Sequence, residues 1–480
     1  MHRHLCFLIL TTAISLAQGT QSATPPNIIY IVADDLGYSE LGCYGQKIIK
    51  TPHIDRLAEE GMRFTQHYSG QAVCAPARCA LLTGMHMGHA WIRDNGSVKE
   101  RVKDEEAWKW RGQTPLPDEA VTFAEVLKKQ NYATAAYGKW GLGYEGSTGD
   151  PLKQGFDDFG GFLCQEHAHN HYPRFLWKSG QQVAMPGNDR TLYGESYSQD
   201  YFIDWSKEFI RKNQSGPFFL YLPVAIPHLS IQVPESSLAA YENAVPEADY
   251  LHKGYLQHPK PRAGYAAMIS HLDQGVGEIM ALLKDLNLDQ NTIVFFSSDN
   301  GPTFDRLGGS DSDFFESAGP FRGRKGELLE GGIRVPLIAR WPGKIAANTT
   351  SDHISAFWDL LPTLADLAGT APPEGIDGLS FLPTLLGKDG QRQHEYLYWE
   401  FIAYGGQQAV RMGDWKGLRR DIKTSQALTT ELYNLAQDPG ETINLAETHP
   451  DVVARIESIM TTARHPSDLF PFPEIRTPKE

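Results

Sequence analysis

Cysteine is scarce in this chain: five residues in 480, at positions 6, 43, 74, 79 and 164, with no pair spaced as CxxC. So thin a supply excludes a disulfide scaffold, and the spacing excludes a zinc site built on thiolate pairs. Long apolar runs are missing beyond the N-terminus, so no later segment is fit to span a bilayer. Positive charge is short as well: 44 Lys and Arg stand against 58 Asp and Glu, a formal net charge of -14. Such acidity argues against nucleic acid or an anionic membrane as partner. It does not exclude a small anionic substrate, because a basic pocket can sit within an acidic protein. Internal repeats and low-complexity tracts do not occur.

What is there begins with "MHRHLCFLILTTAISLAQGTQ". A basic start at Arg3, an apolar run from Leu5 to Leu16 and small residues around Ala17 and Gly19 predict a signal peptide over residues 1–19. The run is too short for a membrane anchor, so the protein is expected to be exported, periplasmic or secreted, without integral membrane association. Loss of Arg3 leaves a net charge of -15. Cys6 leaves too; the other four are expected either in one or two bridges or as buried thiols.

Two apolar, β-rich runs stand out. Ile28 to Val32 ends in Asp34-Asp35, and Thr292 to Phe296 ends in Asp299-Asn300. Continuous runs of this kind suit strands buried on both faces of a largely parallel sheet. Helix-like stretches lie between them ("HIDRLAEEGMRF", "TFAEVLKKQNYAT", "HLDQGVGEIMALLKDLNL"). The expected fold is α/β: a large, mostly parallel or mixed sheet sandwiched by helices, over residues 24–390. Residues 394–480 change character. "EYLYWEF", "QQAVRMGDWKGLRR" and "TELYNLA" read as short strands and "PDVVARIESIMTTA" as a helix, a smaller antiparallel subdomain.

Ligands in open α/β sheets bind beyond the carboxyl ends of the strands, where both acidic pairs fall. A lone Asp-Asp usually caps a helix or turn; the same arrangement on two strands points to a cation. Asp34, Asp35, Asp299 and Asn300 offer only oxygen, which favours Ca²⁺ or Mg²⁺ over zinc. Arg78, Lys139, His228 and Lys325 sit in turn-like contexts near strand ends. Singly each reads as structural; with a divalent cation they would surround a tetrahedral oxyanion. His228 and Lys325 could protonate a departing alkoxide.

These residues resemble the type I, formylglycine-dependent sulfatases of the alkaline-phosphatase-like superfamily. "CAPARCALLTG" carries the signature Cys-x-Pro-x-Arg. "NIIYIVADDLG", "YGKWGLG", "PH", "SSDNG", "RGRKGELLEGGIRVP" and "ELYNLAQDPGETINLA" appear in the family's order, from roughly Pro26 to Ala463. The resemblance implies that a maturation enzyme converts Cys74 to formylglycine, Pro76 and Arg78 being part of its recognition signal. One hydroxyl of the hydrate would attack sulfur; the other would then expel sulfate. It implies Ca²⁺, in preference to Mg²⁺, held by Asp34, Asp35, Asp299, Asn300 and residue 74. Arg78 would hold formylglycine, and Lys139, His228 and Lys325 would grip sulfate or serve as acid.

One block departs. Many members read "GKWHLG", where a histidine helps the elimination step; this chain has Gly141. His167 or His169, in "CQEHAHNHYPRFLW", is expected to enter the site instead, against the alternative of a polar loop with structural histidines. Trp91, Tyr172, Phe175 and Trp177 are candidates for stacking on sugar, and Arg93, Asp94 and Asn95 for its hydroxyls or a carboxylate. The expected substrate is O-sulfated carbohydrate of the galactose or N-acetylgalactosamine type. Two alternatives stand beside it: a phosphatase or phosphodiesterase of the same superfamily, and a non-catalytic carbohydrate-binding relic. The oxygen-only ligands and Cys74 oppose the first; retention of every other motif residue opposes the second.

Overall fold

The computed structural model describes residues 25–98, 112–304, 306–425 and 428–473; the expected signal peptide, 1–19, lies outside them. The chain forms β1 (Asn27–Ala33), β2 (Met62–Tyr68), β3 (Ala133–Lys139), β4 (Asp158–Phe162), β5 (Phe175–Lys178) and β6 (Gln181–Ala184). Then come β7 (Phe218–Pro223), β8 (Thr292–Ser298), β9 (Arg334–Arg340), β10 (Thr349–Ser351) and β11 (Ser355–Ala356). These make one sheet in the order β10-β2-β9-β8-β1-β7-β3-β4-β5-β6, with β11 beside β2. Its centre, β8-β1-β7-β3-β4, is parallel; β9 lies antiparallel to both β8 and β2.

The composition of β1 explains its central place. Successive side chains point to opposite faces, and Ile28, Tyr30 and Val32 enter one core while Ile29, Ile31 and Ala33 enter the other. Each fully buried isoleucine contributes about 1.5–3 kcal/mol. The strand therefore tolerates no polar face. Helices Ser198–Lys212 and Pro261–Asp285 cover one side. Helices Cys74–Thr83 and Leu360–Leu367 cover the other. Among the described residues no helix is long and apolar enough to cross a membrane.

A second, antiparallel sheet follows, ordered β12 (Leu397–Phe401), β13 (Gln407–Met412), β14 (Trp415–Arg419) and β15 (Glu431–Asn434). Leu397, Trp399 and Phe401 face the first sheet's core, while Tyr398, Val410 and Leu432 pack on helix Pro450–Thr462. Gly417 permits that approach: a Cβ there would lie 2.4 Å from Ile456. A closed cluster of buried charge ties the layers together. Lys416 Nζ lies 3.0 Å from Glu330 and 3.0 Å from Glu441, and Glu330 also takes Arg334 at 3.2 Å and the Tyr68 hydroxyl at 2.6 Å. Cys43, Cys74, Cys79 and Cys164 are all free thiols.

Candidate active site

The parallel pairing of β1 with β8 sets Ala33 opposite Ser298, so the acidic pairs that follow emerge side by side. The Asp299 amide donates to the Ala33 carbonyl at 3.0 Å, and the Asp35 amide donates to Asp299 Oδ1 at 3.1 Å. Asp35 adopts a positive φ of 66°, which turns the chain sharply. Asn300 Nδ2 donates to Asp35 Oδ1 at 2.8 Å, leaving Asn300 Oδ1 buried without a partner.

Facing these acids, Cys74 opens the helix Cys74–Thr83, every residue of which is buried. Its thiol donates to Asp34 Oδ1 at 3.4 Å. Burial, then the charge of Asp34, pushes that thiol up to about 12. Arg78, one turn on, donates from Nε and Nη2 to Asp299 Oδ2 at 3.1 and 2.8 Å, and from Nη1 to the Lys139 carbonyl. Lys139 ends β3 and sets Nζ 2.6 Å from Asp34 Oδ2 and 3.4 Å from Cys74 Sγ. Lys325 donates to Asp35 Oδ2 at 2.9 Å. His228 Nε2 is 3.6 Å from Asp35 Oδ2. Its Nδ1 lies 2.6 Å from the Leu229 carbonyl. A carbonyl cannot donate, so the proton is assigned to Nδ1 and the Nε2 lone pair faces the site.

Three carboxylates thus meet three fixed cations. Burial opposes ionisation of Asp34, but Lys139, His228, Arg78 and Lys325 outweigh it and hold the carboxyl well below its ordinary range. Burial, then Asp34, pushes Asp299 upward despite Arg78. An unpartnered buried oxygen costs about 1–3 kcal/mol, and the one on Asn300 sits among carboxylate oxygens. Ligand atoms of Asp34, Asp35, Cys74 and His228 lie within 4.8 Å of one another. Oxygen-rich donors around an orphaned amide oxygen fit a hard divalent ion.

Above this floor lies a cavity of about 240 Å³ whose walls include Asn95, Gln165, His169, His228 and Lys325. His169 stacks on His228 with ring centroids 4.9 Å apart. Its partner in the expectation, His167, is elsewhere, wedged between Phe162 and Phe175 with centroids 4.9 and 4.8 Å away. Arg93 is also diverted: Nη1 pairs with Glu400 Oε1 at 2.6 Å, neutralising a carboxylate that is wholly buried. Asn95 does reach the wall, and its Oδ1 accepts from the Ala75 amide at 3.0 Å. None of Trp91, Tyr172, Phe175 and Trp177 lines the cavity; Tyr255, Phe304 and Tyr404 do. Gly141 has φ 79°, and a Cβ there would stand 2.9 Å from Gln165 Nε2. The place of the absent side chain is filled by Gln165. A second histidine–carboxylate group, His86, His89 and Asp377, is a hydrogen-bonded clasp. Asp377 accepts from His89 Nδ1 and from the His86 amide, both at 2.9 Å, and His86 Nδ1 accepts from the Gly88 amide.

Comparison with known proteins agrees with this geometry. Residues 26–370 match the family model described as Sulfatase, and residues 324–465 that of the N-sulphoglucosamine sulphohydrolase C-terminal region. The N-acetylgalactosamine-6-sulfatase of Homo sapiens is 30% identical over 93% of this chain and 87% of its own length. Arylsulfatase A of Bos taurus is 32% identical over 92% and 87%. The solved structure of Ps i-CgsB in complex with k-i-k-neocarrahexaose superposes with a TM-score of 0.76 at 28% identity, covering 92% of this chain and 93% of that one. The chain belongs to the sulfatase family, and the reaction that goes with it is hydrolysis of sulfuric esters.

Proposed function

We propose that the protein is an exported carbohydrate sulfatase acting on O-sulfated galactose or N-acetylgalactosamine units, with Cys74 matured to formylglycine and Ca²⁺ held by Asp34, Asp35, Asp299, Asn300 and residue 74. The observation that carries this reading is the meeting, in one buried hydrogen-bonded cluster, of the Cys-x-Pro-x-Arg helix start with three carboxylates, an orphaned amide oxygen, two lysines and an arginine. The carbohydrate part is supported by relatives named N-acetylgalactosamine-6-sulfatase and by a neighbour solved in complex with k-i-k-neocarrahexaose. We assign residues 24–390 to the catalytic unit and 394–480 to the C-terminal subdomain.

When bound, the cation supplies positive charge that favours ionisation of the attacking hydroxyl. Formylglycine supplies, through its hydrate, one hydroxyl to take the sulfate group and a second to release it. The chain's own residues do the rest. Arg78 is locked by Asp299 and the Lys139 carbonyl, so its guanidinium orients residue 74. Lys139 and Lys325, held on Asp34 and Asp35, bring two ammonium groups that would balance the charge of sulfate oxygens. Lys325 also lines the cavity, and we assign it to protonate the leaving oxygen. His228 presents an Nε2 lone pair and would serve as acid only once protonated there. His169, carried on the His228 ring, is the histidine we assign to substrate contact, because it lines the cavity and His167 does not.

Two measurements test this together. The mass of the peptide containing residue 74 should show an aldehyde in place of a thiol in material made with the maturation enzyme. The same material should release sulfate from defined sulfated galactose or N-acetylgalactosamine oligosaccharides. Active protein with an intact thiol at 74 would sink the nucleophile assignment, and cleavage confined to non-sugar sulfates would sink the substrate assignment.

A further inference from the structure

The cavity above Cys74 is small. At about 240 Å³ it falls below the roughly 300–1,000 Å³ of pockets that engulf a drug-sized ligand. A sulfate group with part of its ring fills it, and whatever continues from that ring must leave through the mouth.

An aromatic shelf stands at the mouth. Tyr404 is 54% exposed and is the only exposed large apolar side chain, among the described residues, that lines the cavity. It is nonetheless held in place: its ring lies 5.7 Å from Phe304 at 25° and 5.5 Å from Phe401 at 30°. The two shelf residues come from different units. Phe304 follows β8 in the catalytic unit, whereas Tyr404 sits in the turn between β12 and β13 with φ 47°. Gly326, next to Lys325, makes room for both. A Cβ there would stand 3.1 Å from Phe304 Cζ and 3.2 Å from Tyr404 Cε1. The shelf is thereby brought against Gly326, the residue after the lysine proposed to grip sulfate.

A rigid ring left in water beside a polar cavity gains nothing in the free protein, yet it offers a large flat face with a hydroxyl at its edge at little entropic cost. That suits the C–H face of a sugar. We propose that Phe304 and Tyr404 form a subsite for the sugar adjoining the sulfated one, so that the enzyme acts on chains in preference to free sulfated monosaccharides. This rests on the carbohydrate reading above.

The test compares kcat/KM for sulfated tetrasaccharides of galactan and chondroitin with kcat/KM for the matching monosaccharide sulfates, and with 4-nitrophenyl sulfate. The wild type should prefer the chain at least tenfold. Tyr404→Ala should cut the chain-to-monosaccharide ratio at least fivefold, mainly through KM, and Tyr404→Trp should preserve it. A residue that merely clamps the two units would lower all three substrates together and leave the ratio alone, which would overturn the proposal. So would equal use of chain and monosaccharide by the wild type. Sulfate release from 4-nitrophenyl sulfate but from no sugar would instead remove the carbohydrate reading and the shelf with it.

Discussion

Two clusters of buried charge are built on opposite plans. Around Glu330, each group has fixed protein partners: Lys416 bridges Glu330 and Glu441, and Tyr68 and Arg334 complete the set. Around Asp35, carboxylates converge on one another, Asn300 Oδ1 is left without a partner, and Lys325 and His228 look into a cavity. A closed cluster holds layers together. An open one keeps unspent electrostatic capacity for something that arrives later. The difference lies in what the charges face, fixed counter-charges in one cluster and a cavity in the other.

The comparison is open to experiment at several strengths. Cys74→Ala should abolish sulfate release, by about 10³-fold or more, while the thermal midpoint stays within a few degrees of wild type; unfolding on that substitution would erase the distinction. Chelation should lower turnover by about 10²-fold and lower the midpoint as well, because an ion bound at 100 times its Kd stabilises by about 2.7 kcal/mol. Added Ca²⁺ should restore both, and chelator-resistant activity would count against the ion. The opposite pattern is expected at Lys416→Ala. Removing the cation leaves Glu441 buried without its ion pair, while Glu330 keeps Arg334 and Tyr68. The cost is expected to be about 3–5 kcal/mol, seen in denaturant unfolding, while kcat/KM of the folded fraction stays within twofold.

Two smaller effects sharpen the contrast. Burial pushes the Glu330 carboxyl up, but Lys416, Arg334 and Arg411 pull it down to about 2. Its folded value is thus lowered, so its contribution is whole above the ordinary value of 4.5 and is lost as pH falls towards 2. Glu330→Gln should flatten the acid limb of stability against pH between those limits; an unchanged limb would mean the cluster does not titrate as a unit. Gly141→Ala should cost about 1–2 kcal/mol for a side chain in the left-handed region, and Gln165→Gly should not recover it, since the backbone remains strained.

Much of this was legible in the sequence because β1 and β8 are buried on both faces and therefore read as unbroken apolar runs, with the acids marking where burial ends. Cys74, Arg78, Lys139, His228 and Lys325 were visible as motif residues, and the structure brings them within one site. Pairing was not legible: nothing local tells β9 to run antiparallel between β2 and β8. The stretch "HIDRLAEEGMRF" has helical spacing throughout, yet the helix stops at Glu59 and Met62 begins β2, where pairing with β9 overrides propensity. "QQAVRMGDWKGLRR" is two strands because Gly413, at φ 58°, turns the chain back. Arg93 and His167 went astray for one reason, that a polar side chain in a loop gives no sign of which buried neighbour it must satisfy. Tyr404 was missed because its role depends on Phe304, a hundred residues away; the double glycine after it was the available hint.

Under the maturation proposed for Cys74, the position of that residue dictates when the modification happens. Its side chain is only 1% accessible, at the head of a helix that shows no face to solvent. No second protein can close around that atom once the sheet has formed. On the proposed maturation of Cys74, the oxidising enzyme would have to meet the nascent, extended chain, and a molecule that collapsed with its sulfur intact would stay inert until unravelled again.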